Sequence, residues 1–173
     1  MPSSPLSNKV VVLFAIACGL SVANVYYAQP LLDAMAETFA MDHATVGIII
    51  ALTQVGYGVG LLLLVPLGDL LNRRKLIVSQ LLLSTLAVLV VGLSSNSFWL
   101  LAGMALTGLL AVVAQVLVAL AAHLASPEQR GQVVGLVTSG IVVGLLLART
   151  VSGAMADLAG WRSVYLLSAG LTL

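Results

Sequence analysis

Five long apolar runs constrain this chain more than any other feature of its sequence. The hydrocarbon core of a bilayer is about 30 Å thick, so a helix that crosses it needs roughly 20 apolar residues. Five segments reach that length, at approximately 10–31, 45–69, 76–94, 98–122 and 131–156. Strands of a membrane β-barrel are about half as long and alternate in polarity, whereas these runs are continuous. The sequence therefore predicts an all-α membrane protein.

A sixth apolar segment begins near Trp161 and runs to Leu173. At a rise of about 1.5 Å per residue it would cover roughly 18 Å, which is too short to cross a bilayer. We therefore expect six helices over residues 10–173, the sixth incomplete, after an N-terminal segment at 1–9. The first run has no small-x-small cleavage pattern and is followed by further spans, so we interpret it as a retained anchor.

The composition excludes several classes of protein. Charged residues make up 8% of the chain and hydrophobic residues 61%, whereas a soluble domain is about 25% charged. With a net charge of +1, the chain has no basic field for nucleic acid. Its single cysteine, Cys18, excludes an internal disulfide. We find no catalytic triad, nucleotide cradle or metal-ligand spacing, so we predict no enzyme activity, no cofactor and no metal.

The few charges are distributed unevenly between the two membrane faces. Five of the seven Lys and Arg residues fall on one face, and these are Lys9, Arg73, Arg74, Lys75 and Arg130. The other face receives Arg162 and most of the acidic residues, while Arg149 lies inside a span. The positive-inside rule then places the N-terminus in the cytoplasm. We expect a multi-pass protein of the bacterial inner membrane.

Two polar corners of the chain resemble each other, at residues 65–74 and 153–162. In each, an Asp closes an apolar helix, Asn or Gly follows three positions later, and an Arg comes two positions after that. The corners follow the second and the fifth span, so they fall on opposite membrane faces. This arrangement is typical of a three-plus-three inverted repeat.

The first corner resembles the signature loop of the major facilitator superfamily, G-x-x-x-D-[RK]-x-G-[RK]-[RK]. Asp69, Arg73 and Arg74 match that pattern. Three positions depart from it, with Val65 for the first Gly, Leu70 for a basic residue and Asn72 for the second Gly. Because Asn tolerates a positive φ better than most residues, we expect the turn to survive at this position.

Residues 24–32, Asn-Val-Tyr-Tyr-Ala-Gln-Pro-Leu-Leu, resemble the first helix of bacterial drug- or sugar-efflux members of that family. Gly140 and Gly144 resemble part of the helix-5 antiporter motif, although its Pro and the usual helix-4 Arg are absent. The resemblance implies the N-terminal six-helix bundle of a secondary transporter that exports small molecules, with proton-coupled antiport expected. Its partners would be the lipid bilayer, a small-molecule substrate and a C-terminal six-helix bundle in cis or in trans.

Arg149 is the most informative polar residue within a span. A charge near the bilayer centre costs about 2.5–3.5 kcal/mol, so a purely structural Arg would be a poor choice there. Small residues recur every four positions beside it, at Gly140, Gly144, Ala148, Ser152 and Ala156. Such a stripe favours close helix packing, and Arg149 lies about 100° around the helix from it. We predict contact with a substrate or counter-ion, the alternative being an Arg that snorkels or pairs with another helix end.

Other polar residues in the spans are candidates for cavity lining or for bonds between helices. For Asn24 and Tyr27 we favour cavity lining, with helix bonding and interfacial anchoring as the alternatives. For Gln115, a bond between helices is the preferred interpretation. No Asp or Glu lies in the middle of a span, so no proton-coupling carboxylate is identified, and Asp33 is the nearest candidate.

Asp69 lies near the C-terminal end of the second helix, where the helix dipole disfavours an anion. It therefore needs a cationic or N–H partner. The family resemblance implies a gating loop in which that partner is Arg73 or Arg74 together with a helix N-terminus of the opposite bundle. The alternative is a simple ion pair within the loop.

Two other hypotheses compete with the prediction that this chain is one half of a larger transporter. The chain could be a half-size unit that pairs with a second chain or with itself. It could also be a non-functional remnant of an interrupted transporter gene.

The charge asymmetry makes a topology prediction. Reporters fused near Arg74 and Arg130 should lie on the cytoplasmic side of the membrane, and reporters fused near Asp42 and Asn96 on the external side. Paired alkaline phosphatase and fluorescent-protein fusions at the four positions measure this. External activity at Arg74 would reverse the orientation.

Overall fold

A computed structural model of the chain describes residues 6–172, without the side chains of residues 43 and 44. Within that range it contains a 3-10 helix at Gln29–Leu31 and the following α-helices: α1 Asn8–Tyr26, α2 Leu32–Phe39, α3 His43–Leu70, α4 Arg73–Gly92, α5 Ser97–Leu110, α6 Val113–Leu124, α7 Arg130–Ala159 and α8 Trp161–Thr172. The predicted all-α membrane fold is confirmed. Residues 1–5 of the predicted N-terminal segment and Leu173 lie outside the described residues.

Successive spans run in opposite directions, so the polar turns gather at the two ends of the bundle. We call the end that carries Lys9, Arg73, Arg74, Lys75 and Arg130 the basic end. The opposite end carries α2 and the turns at Asn96 and Gly160. Five stretches are long and apolar enough to cross a membrane, and α8 is a shorter helix that starts at the opposite end.

The first run continues beyond the end predicted at residue 31. After α1 the chain passes through the 3-10 helix, where Pro30 has no N–H to donate, and then forms α2. This short helix buries Met35 and exposes Asp33 and Glu37. Because its polar and apolar residues alternate around the helix, a search for continuous apolar runs does not detect it.

The fourth run, predicted as one helix, is broken at Ala111 and Val112 into α5 and α6. Around the break, the N–H of Ala114 donates to the carbonyl of Ala111 at 3.3 Å and that of Gln115 to Val112 at 2.9 Å. Bonds to the third preceding residue thus replace the usual bonds to the fourth. Neither Pro nor Gly occupies the break, so the sequence carries no local signal for it.

Glycines bring two pairs of helices into backbone contact. On α7, a methyl group at Gly140 would overlap the carbonyl of Ala15, and one at Gly144 would overlap the carbonyl of Gly19 on α1. Gly56 and Gly60 of α3 meet the backbone of α5 in the same way. Ser152, one turn beyond Ala148 on α7, is also fully buried, and its Oγ donates to the carbonyl of Arg149 at 3.3 Å. These contacts set α7 against α1 and α3 against α5.

The start of α8 is fastened to neighbouring elements at the opposite end. Trp161 donates through Nε1 to Oγ1 of Thr38 on α2 at 3.0 Å. The Arg162 guanidinium donates to the carbonyl of Ser94 at 2.9 Å and lies 4.5 Å from the centre of the Trp161 ring. These contacts join α2, the turn before α5 and α8.

The glycine contact predicts a difference in stability between matched variants. Gly144→Leu should lower the unfolding temperature in detergent clearly, because overpacking costs roughly 1–3 kcal/mol and here the obstacle is backbone. Gly153→Leu, in the same helix but with open space at its Cα, should change it little, as should Leu146→Ala at an exposed site. Equal unfolding temperatures for Gly144→Leu and Gly153→Leu would contradict this packing.

Candidate functional site

Two helices leave most of their surface uncovered. In the most apolar window of α3 and of α7 only 17% of residues are buried, against 61% across α5 and α6. Because α3 packs on α5 and α7 packs on α1, the two uncovered helices lie at the flanks of the bundle. Polar groups on these flanks are the ones that can meet a ligand, water or another bundle.

Arg149 lies on the uncovered side of α7. Its neighbour Ala148 is buried against the bundle, whereas Arg149 is exposed beside Leu146 and Leu147. Within residues 6–172 its guanidinium makes no ion pair or side-chain hydrogen bond. The structure thus presents a cation, unpaired among the described residues, on a mainly aliphatic face that also exposes Thr150.

A second polar patch joins α3 to α6. Gln115 donates through Nε2 to the hydroxyl of Tyr57 at 2.9 Å, and both side chains are half-buried. Gln54, one turn from Tyr57 on α3, is exposed. Gln115 therefore bonds two helices. Tyr57 was not predicted as a site residue, although its phenol within an apolar run was an available signal.

Asn24 and Tyr27 lie inside the bundle, which differs from the cavity-lining position predicted for them. Asn24 is fully buried, and its Oδ1 accepts a hydrogen bond from Oγ of Ser168 on α8. Tyr27 is buried and packs edge-on to Tyr165 of α8, with ring centres 6.4 Å apart. Residues 21–25 of α1 are all buried, so this part of the helix is enclosed on all sides. Both side chains therefore hold α1 to α8.

At the basic end, the corner between α3 and α4 is built around one ion pair. A guanidinium nitrogen of Arg73 lies 2.9 Å from Oδ1 of Asp69, and its Nε donates to the carbonyl of Gly68 at 3.0 Å. These bonds satisfy two acceptors at the C-terminal end of α3. The predicted gating loop contains only Leu71 and Asn72, because Arg73 and Arg74 already belong to the first turn of α4.

Asn72 does not use the positive φ that was expected of it. Its φ is −63°, and its Oδ1 accepts from the N–H groups of Arg74 and Lys75 at 3.1 and 3.3 Å. Asn is therefore favoured here as an N-cap of α4 and not as a substitute for Gly. At the corresponding corner before α8, Gly160 does have a positive φ of 78°.

The two similar corners also differ in how they use their arginine. Arg162 binds the carbonyl of Ser94 and aromatic rings, whereas Arg74, at the corresponding position of the first corner, is exposed, and the preceding Arg73 pairs with Asp69. Asp157 remains exposed. The sequence likeness of the corners thus extends neither to the backbone conformation at Asn72 and Gly160 nor to the side-chain contacts.

An apolar groove of about 570 Å³ runs between α1 and α7 toward the basic end. Its walls are mainly aliphatic, with Val12, Ile16, Leu136, Val143 and Leu147 among the lining residues. Asn8 and Gln132 lie at its basic end. Apolar walls with a few neutral polar groups can bind an apolar small molecule, and Arg149 is not among the residues that line this groove.

Comparison with known proteins agrees with this architecture. A model of the Major Facilitator Superfamily matches residues 13–173. The uncharacterized transporter YgaY of Escherichia coli O157:H7 is 52% identical over 164 residues, which is 95% of this chain and 42% of the relative. The probable transporter SCO4007 of Streptomyces coelicolor is 33% identical over 171 residues, covering 99% of this chain and 40% of the relative. The chain thus spans about two fifths of these relatives' length.

A solved structure shares the fold. The inward-facing, occupied conformation of a bacterial homolog to the human lysosomal transporter Spinster superposes with a TM-score of 0.84. The match covers 98% of this chain and 43% of that one, at 17% sequence identity. At this identity the similarity is one of fold.

The Tyr57–Gln115 bond can be measured with a double-mutant cycle. We expect Tyr57→Phe and Gln115→Leu to show a coupling of about 0.6 kcal/mol, and at most about 1.7 kcal/mol, in unfolding experiments in detergent. The control cycle combines Tyr57→Phe with Gln132→Leu, an exposed site on α7, and should give no coupling. Zero coupling in the first cycle would show that this bond is not formed.

Proposed function

Since this chain belongs to the Major Facilitator Superfamily, we propose that it forms one six-helix bundle of a secondary transporter that exports drugs or sugars in exchange for protons. The substrate site lies between this bundle and a second six-helix bundle, supplied in cis or in trans. The efflux assignment is supported by the likeness of residues 24–32 to the first helix of efflux members.

The position of Arg149 is the observation that carries the proposal. An exposed Arg within a span costs about 2.5–3.5 kcal/mol if it faces lipid. The cost falls when the guanidinium faces water, a substrate or a second bundle. The uncovered face of α7 is therefore a wall of an aqueous cavity, and Arg149 contacts the substrate or its counter-ion there.

The groove between α1 and α7 supplies the apolar part of that wall. Its aliphatic lining suits the ring systems of drug-like amphipathic molecules, and Tyr57 and Gln54, which lie outside the groove on α3, are neutral hydrogen-bonding groups on the other uncovered helix. The spans described here contain no mid-membrane carboxylate, so the proton-carrying group of an antiporter belongs to the second bundle. Asn24 and Tyr27 are left out of the substrate site because they are buried.

The Asp69 corner contributes a gate. Arg73 occupies Oδ1 of Asp69, yet the side chain of Asp69 remains 77% exposed. Its second oxygen can accept hydrogen bonds from a helix N-terminus of the second bundle when the basic end closes. Arg74, one residue on in α4, is exposed at the same end. We propose that the basic end faces the cytoplasm, by the positive-inside rule, and that the protein lies in the bacterial inner membrane.

Transport assays in cells that make different combinations of the two parts test this proposal. Cells making this chain alone should accumulate a fluorescent drug or a labelled sugar like empty cells, because half of the site wall is missing. Cells that also make the part of Escherichia coli YgaY that this chain does not match should export it. In that pair, Arg149→Ala should abolish export, whereas Leu146→Ala, at an exposed aliphatic site of the same face, should not.

Immunoblots must show equal amounts of chain in the membrane for these comparisons. Energy-dependent export by the chain alone would establish a half-size unit. Full export by Arg149→Ala in the pair would contradict the role of Arg149. Absence of export in every line, with both parts present at normal levels, would favour a non-functional remnant.

A further inference from the structure

A second groove lies on α4 at the basic end, away from the groove between α1 and α7. Its volume is about 540 Å³, and it is lined by Asn72, Arg74, Lys75, Val78, Ser79 and Leu82. We call it the α4 groove. All six residues come from α4 and its cap, so the groove opens outward from the bundle.

Two cations in the α4 groove are not engaged by the part of the chain that the structure describes. Arg74 and Lys75 are exposed, and within residues 6–172 neither side chain forms an ion pair or a hydrogen bond. Only their backbone N–H groups are engaged, by Oδ1 of Asn72. Arg73 differs, because its guanidinium is occupied by Asp69 and Gly68. The groove therefore holds two free positive charges at the boundary of the membrane.

An apolar stripe continues from these cations into the span. Val78, Leu82 and Leu86 succeed one another at intervals of four residues and are 50%, 51% and 58% exposed. The other side of α4 is buried against the bundle, for example at Gln80 and Val88. From Arg74 to Leu86 the helix rises roughly 18 Å, about the thickness of one leaflet of the hydrocarbon core.

We propose that the α4 groove binds an anionic phospholipid. Its phosphate lies between Arg74 and Lys75, and one acyl chain lies along Val78, Leu82 and Leu86. The phosphate can also accept a hydrogen bond from Nδ2 of Asn72, whose Oδ1 is engaged by backbone N–H groups. The Ser79 hydroxyl is not available as a donor to the phosphate, because it donates to the carbonyl of Leu76. A soluble phosphate would use the cations but not the stripe. The continuity of charge and apolar surface therefore selects a lipid.

Lipid-dependent stability of the purified chain tests this site without any transport. The chain is delipidated in a neutral detergent, and its unfolding temperature is measured with added phosphatidylglycerol or phosphatidylcholine. Phosphatidylglycerol should stabilise the unsubstituted chain more than phosphatidylcholine. Its apparent affinity should fall roughly fivefold in Lys75→Gln and further in Arg74→Gln/Lys75→Gln. Lys9→Gln removes one positive charge from the same end but outside the groove, and should keep the full affinity.

Two further measurements separate lipid from phosphate and from general charge. Inorganic phosphate, at matched ionic strength, should not reproduce the stabilisation, and Leu82→Ser should weaken phosphatidylglycerol binding while leaving the unfolding temperature in phosphatidylcholine unchanged. Equal stabilisation by the two lipids, or an equal loss in Lys9→Gln and Lys75→Gln, would overturn the proposal. So would equal stabilisation by phosphate. If the double variant fails to fold, the comparison of the two single lysine variants decides the question.

Discussion

Backbone contact at glycines is the interaction on which the rest of this bundle depends. Lipid tails are as apolar as leucine side chains, so burial of apolar surface gives little drive for helices to associate in a membrane. Contact through Gly144 with Gly19 and through Gly60 with Leu109 brings main chains close enough for extensive van der Waals attraction. These contacts settle α7 beside α1 and α3 beside α5. The remaining surfaces of α3 and α7 are uncovered as a result, and the candidate site lies on them.

Three polar side chains within the spans differ in the partners that this packing leaves them, whereas the Gln80 amide is buried without a hydrogen-bond partner among the described residues. Asn24 has a hydroxyl from α8 within reach and is fully enclosed. Gln115 donates a hydrogen bond to the phenol of Tyr57 on α3 and remains half-exposed. Arg149 has no partner among the described residues and lies on the uncovered face. Because an unpaired polar group in hydrocarbon is costly, the exposed position of Arg149 supports the proposal that it faces water, a substrate or a second bundle.

Three consecutive cations at the basic end have different surroundings for a geometric reason. Successive residues of a helix point about 100° apart, so Arg73 turns back onto the end of α3 while Arg74 and Lys75 point away from the bundle. Asn72 makes this possible by capping α4, which starts the helix at Arg73. The corner between α3 and α4, which resembles the family's signature loop, therefore combines the Asp69–Arg73 ion pair with the exposed charges of Arg74 and Lys75.

The sequence by itself determined the membrane class, the number and approximate limits of the long spans, and the uneven charge of the two ends. These properties are recorded in hydropathy and loop composition, which do not depend on how helices turn toward one another. Only the tertiary structure decided that Asn24 and Tyr27 face α8, that Tyr57 meets Gln115, and that the fourth span breaks at Ala111. The facing of a side chain depends on the rotation and register of neighbouring helices. In a span that is apolar all around, the pattern of residues leaves both undetermined.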